Sequence, residues 1–104
     1  MAAALSKAAR LTWIKEPAAR LAWNAFLEDW GSLVIVETNA RVVERAAELA
    51  WSLGLRGYEA VHLAGAQVWQ ESLGVEVTLG AFDQVLANAG RQSGLAVWPE
   101  TSIP

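Results

Sequence analysis

Two acidic residues stand where this sequence begins a helix. Glu59 lies in L-G-L-R-G-Y-E-A-V-H-L-A-G (residues 53–65), where Gly54 and Gly57 bracket a short turn and an apolar helical pattern follows at once. Asp83 lies in V-E-V-T-L-G-A-F-D-Q-V-L-A-N-A (residues 75–89). There a run of strand type, residues 75–79, ends in a turn, and Phe82, Val85, Leu86 and Ala89 repeat at i, i+3, i+4 and i+7. A helix N-terminus offers free N–H groups and partial positive charge, so either acid can serve simply to stabilise its own helix. Open parallel sheets also form ligand crevices at the carboxyl ends of their strands. Two acids at such junctions are expected to converge on one crevice.

The elements that must position them follow from the pattern. Residues 2–13 are Ala-rich, with Leu5, Ala8, Ala9 and Thr12 on one stripe, and predict a helix. Pro17 suits the first turn of a second helix, which carries Trp23, Phe26, Leu27 and Trp30 and is expected to stop at Gly31. Residues 32–37 (S-L-V-I-V-E) form a short β-branched run typical of a strand covered on both faces. Thr38 or Asn39 caps the next helix, whose apolar stripe is Val42, Ala46, Leu49 and Leu53. A helix over 58–72, stopped by Gly74, precedes the strand at 75–79. A last helix runs to about Gln92, Ser93-Gly94 turns the chain, and residues 95–98 read as a final strand. Pro99 ends it, and the tail E-T-S-I-P is expected to fray. Strands alternate with helices, so the expected class is α/β, helix-rich, with a short, mostly parallel sheet.

Composition sets the outer bounds. A chain of 104 residues makes one domain. Eight Lys and Arg against eleven Asp and Glu give a net charge of −3, which argues against a basic surface wrapping nucleic acid over many phosphates. There is no cysteine, so disulfide and thiolate chemistry are excluded. No apolar run approaches the roughly 20 residues of a membrane span. Lys7 and Arg10 interrupt the start too early for a secretory segment. The expectation is a soluble, cytoplasmic protein with no membrane partner.

The two acidic stretches carry a family resemblance. L-R-G-Y-E-A-V-H-L-A at 55–64 resembles the PIN-domain segment L-R-G-Y-D-A-x-H-L-A. V-T-L-G-A-F-D-Q-V-L at 77–86 is similar to that family's V-T-x-x-T-F-D-x-x-L. Residues 30–53 resemble the strand and helix that precede the first motif in PIN toxins of the VapC type, and the likeness spans about residues 18–99. It implies a partial PIN-like αβα sandwich over residues 1–104, lacking the family's N-terminal strand. It also implies an Mg²⁺-dependent endoribonuclease, with Mn²⁺ as an alternative ion, acting as the toxin of a toxin–antitoxin pair. The implied partners are an RNA substrate, a cognate antitoxin protein and further copies of the chain. By position, Glu59 and Asp83 would be the catalytic metal ligands. Arg56, in the turn beside Glu59, reads either as a contact to a substrate phosphate or as a surface arginine paired with a neighbouring acid.

Three departures from the family pattern bear on activity. The family's first Asp has no counterpart, and its second acid would fall at or just before Met1. Position 59 is Glu where the family has Asp, which moves the carboxylate by roughly 1.5 Å; misplacement by about 1 Å can cost on the order of a hundredfold in rate. Ala81 replaces a Thr and removes a hydroxyl. The enzyme is therefore expected to be truncated or attenuated, and the alternative is a non-catalytic PIN-like binding or assembly module. Glu37, at the end of the first strand run, reads as a surface or helix-capping residue. His62, the only histidine, reads as a packing and hydrogen-bonding residue. Six scattered tryptophans make no base-stacking platform, and Trp23 and Trp30 are candidates for an interface.

Overall fold

The computed structural model describes residues 1–100, and the expected fraying of residues 101–104 lies outside them. The chain divides into two compact units, Met1–Ile35 and Val36–Pro104. The described part is helix-rich with one short parallel sheet, which places it in the broad α/β class. No described helix is long and apolar enough to cross a membrane.

The first unit is a helical pair, α1 (Ala2–Arg10) and α2 (Glu16–Asp29), followed by a 3₁₀ turn at Trp30–Ser32. The helix expected over 2–13 ends at Arg10 because Thr12 adopts a left-handed conformation with φ 58°. That conformation is uncommon for a β-branched residue and incompatible with continuing the helix. Pro17 falls in the first turn of α2, where its missing N–H costs nothing. Gly31 does not act as a left-handed terminator; it lies inside the 3₁₀ turn, closed by Leu33 N–H donating to the Trp30 carbonyl at 3.1 Å. Phe26 sits between Trp23, stacked at 5.5 Å, and Trp30, edge-on at 5.7 Å. Ala19 alone of this unit's residues is fully buried.

The strand expected over 32–37 does not form. Leu33 has extended dihedrals, but residues 33–39 pair with no other strand among the described residues. The β-branched run supplies strand propensity without a partner, and propensity alone does not make a sheet. Val34, Ile35 and Val36 remain exposed.

The second unit holds a contiguous core. Its elements are α3 (Ala40–Leu53), α4 (Gly57–Leu73), β1 (Thr78–Gly80), α5 (Gln84–Gln92) and β2 (Ala96–Trp98). Asn39 caps α3 by accepting from Val42 N–H at 3.0 Å, satisfying a donor the helix leaves free. Val42, Ala46 and Leu49 face α4, as their spacing requires. Gly54 and Gly74 end α3 and α4 at φ 65° and 69°, where a side chain would be strained. β1 and β2 run parallel with Leu79 opposite Val97, and α5 is the crossover between them. The first strand begins at Thr78 instead of 75 because the Val77 N–H is taken by the Gln70 side-chain oxygen at 2.9 Å. Two strands of three residues are marginal by themselves. They persist because Leu79 and Val97 are buried with α5 and with Leu63 and Ala64 of α4. Each large side chain so covered contributes about 1.5–3 kcal/mol.

Candidate functional site

Glu59 is held by the first turn of α4. Arg56 is the residue before the helix, in extended conformation, and its N–H donates to Glu59 Oε2 at 3.2 Å. This is the half of a capping box that a third-position Glu provides. The other half is missing in chemistry, because a guanidinium has no acceptor to offer the helix. Glu59 is 4% exposed. Its second oxygen, Oε1, takes no hydrogen bond among the described residues, yet no buried side-chain oxygen there lacks a partner. Oε1 therefore reaches the surface from an otherwise covered side chain.

Asp83 does the same for α5. It precedes the helix with extended dihedrals, and Oδ1 accepts from Leu86 N–H at 3.1 Å. The side chain is exposed and Oδ2 takes no hydrogen bond among the described residues. The chain reaches it through Ala81, whose N–H donates to the Trp98 carbonyl at 2.9 Å and carries the parallel pairing one step beyond Gly80. Ala81 is buried.

Asp83 thus lies just past the carboxyl end of β1. Beside it in sequence, Phe82 meets Trp98 at the end of β2, edge-on at 5.6 Å, and both rings are exposed. The periodicity that placed Phe82 on the buried stripe of α5 is corrected here: Phe82 and Val85 are exposed, whereas Leu86 and Ala89 are buried. The aromatic pair depends on the parallel register that sets Gly80 opposite Trp98, and no local signal in the sequence announces it.

Arg56 is exposed, and its guanidinium makes no hydrogen bond or ion pair among the described residues. His62 is also exposed, not packed as expected, and stands on the wall of a cleft of about 400 Å³ with Glu37 and Trp69. A second groove, of about 420 Å³, belongs to the α1–α2 pair and is walled by Trp23, with the ion pair Arg20–Glu16 at 3.1 Å. Neither of these clefts is lined by Glu59, Asp83 or Arg56.

The chemistry open to the two acids is set by what their caps leave over. Each keeps one carboxylate oxygen for a hard cation, and Mg²⁺ accepts such oxygens together with several waters. The donors are right in kind and few in number. Among the described residues no group of three or more His, Asp or Glu side chains is placed to hold a metal ion. Comparison with known proteins matches this chain to no family model, no curated protein and no solved structure.

Proposed function

We propose that this chain is a PIN-like αβα domain of the VapC toxin type, a cytoplasmic Mg²⁺-dependent endoribonuclease of attenuated activity. The observation that supports this is the pairing of each acid with a helix start. Glu59 and Asp83 both cap a helix with one oxygen and leave the other unbonded. In this reading the two free oxygens hold Mg²⁺, or Mn²⁺ in its place, with water completing the shell. The ion supplies activation of water and offsets charge on the phosphodiester as it is cleaved. Arg56 takes a phosphate oxygen of the RNA. The exposed Phe82 and Trp98 rings beside Asp83 give bases a face to stack on.

Two carboxylates make a weak site, so in this reading full activity requires further acidic ligands beyond Glu59 and Asp83. A second reading is supported by a separate observation. Val34, Ile35 and Val36 are exposed in a segment that pairs with no strand among the described residues, and such apolar surface is normally covered. In that reading the chain is a non-catalytic PIN-like assembly module, bound to further copies of itself or to an antitoxin protein.

Isothermal titration with Mg²⁺ and Mn²⁺, alongside RNA cleavage, tests the first reading. The informative variants are Asp83→Asn and Glu59→Gln, because each keeps an oxygen to accept the capping N–H and removes only the charge. Cleavage by the parent chain that requires the ion, and falls by about a hundredfold in each variant at unchanged melting temperature, is the expected result. Absence of metal uptake, or cleavage that ignores the metal, sinks the nuclease and leaves the assembly module. Light scattering then decides that module, and a monomer at high concentration removes it.

A further inference from the structure

We propose that the cleft between residues 36–42 and the middle of α4 binds a small organic cation, an amidinium or guanidinium group on a flat apolar body. The cleft has a volume of about 400 Å³ and lies wholly within the second unit. Its floor is open for a specific reason. Gly65 lines it, and a Cβ built there would meet nothing within 4 Å. Val61 and Ala66 flank that bare strip of helix, and Val42 closes the base. These residues offer apolar surface without polar atoms of their own, the usual lining of a small-molecule site.

The polar groups around that floor select the sign of the ligand. Glu37 is the one carboxylate on the cleft; its backbone carbonyl accepts from Asn39 N–H at 3.0 Å, but its side chain takes no hydrogen bond or ion pair among the described residues. No lysine or arginine lines the cleft, and Thr38 and His62 complete its polar lining. The nearby basic residues of α3 are committed elsewhere, with Arg41 and Arg45 on Glu71 at 3.0 and 2.8 Å. Trp69 forms a wall, and an indole face attracts a cation through its quadrupole. One open carboxylate, one indole and an apolar floor, with the His62 imidazole as the one basic side chain on the lining, suit a cation better than an anion. The inference is independent of the nuclease reading, since neither Glu59 nor Asp83 lines this cleft.

Amide-resolved NMR titration of the full chain with benzamidinium tests it, with benzyl alcohol as the neutral and benzoate as the anionic comparison. Saturable shifts confined to residues 36–38 and 61–69 are expected for benzamidinium, with the other two binding about tenfold or more weaker. Glu37→Gln should bring benzamidinium down to the level of the alcohol. Glu37 is exposed, so that variant leaves the core untouched. Gly65→Leu should fill the cleft and abolish binding while the helical circular dichroism is retained. Equal binding of alcohol and cation, unchanged affinity in Glu37→Gln, or shifts centred instead on Glu16 and Trp23 overturns the proposal. So does failure of benzamidinium to saturate below its solubility limit.

Discussion

Gly90 and Gly65 both sit inside helices, where glycine costs about 0.5–1 kcal/mol relative to alanine. Their surroundings give the same substitution opposite signs. A Cβ on Gly90 would stand 2.8 Å from Leu79 Cδ2 and 3.0 Å from Val97 Cγ2, the two buried side chains through which α5 covers the sheet. Val97 is stiff about its own χ1 and cannot simply turn away. Overpacking of this kind costs about 1–3 kcal/mol, which outweighs the helix gain. Gly90→Ala is therefore expected to destabilise by about 1 kcal/mol, whereas Gly65→Ala, with open space around it, should stabilise by about 0.5–1 kcal/mol. Urea unfolding of the two variants beside the parent checks both signs. Two destabilised variants would mean that the Gly65 strip is occupied. At this scale Glu59 is legible from sequence as a first-turn acid and Asp83 as the acid at a strand–helix junction, because capping depends on neighbours three residues away. Whether their free oxygens share a site depends on contacts far along the chain, and local spacing carries no record of those.

Helices α3 and α4 are joined on their outer side by a charge clamp as well as by the core beneath. Arg45 reaches Glu71 at 2.8 Å and Gln67 at 3.1 Å, while Arg41 reaches Glu71 at 3.0 Å. The hydrogen bond from Arg45 is the main cause holding the Glu71 carboxyl below its ordinary value of 4.5, aided by the charges of Arg45 and Arg41 and opposed by partial desolvation. A carboxyl with a depressed folded-state pKa adds stability at pH values above its unfolded value. That contribution is lost as pH falls through the folded value. Because the pair is exposed, solvent screens much of it. The parent chain should thus lose stability below pH 4.5 more steeply than an Arg45→Met variant, measured as unfolding midpoints from neutral pH downward. Parallel acid limbs would mean the clamp contributes nothing. Element ends are well written in this sequence: Asn39 and Asp83 open helices, and Gly54 and Gly74 close them, where their chemistry demands. The run at 32–37 is the instructive failure. A continuous apolar, β-branched run describes a chain ready to pair, but a strand exists only where another strand offers its N–H and C=O groups.

Burial is unevenly shared between the two units. The core cluster runs from Val42 to Val97 and contains no residue of the first unit, where Ala19 alone is buried. Cooperative stability tracks buried apolar contact, and regions without it open at low free energy. Amide exchange in α3 and α4 should therefore proceed only through global unfolding, while α1 and α2 exchange through local opening at dilute concentration. The first unit also exposes Trp13, Leu21, Leu27 and Trp30, continuing into Leu33, Val34 and Ile35. If further copies cover that surface, protection of α1 and α2 rises with protein concentration while that of α3 and α4 stays fixed. Hydrogen exchange read at two concentrations separates these cases. Rising protection supports assembly through the first unit. Low protection at both concentrations shows a helical pair left uncovered and counts against assembly. Protection of α1 equal to that of α4 in a dilute monomer would contradict the division of the core drawn above.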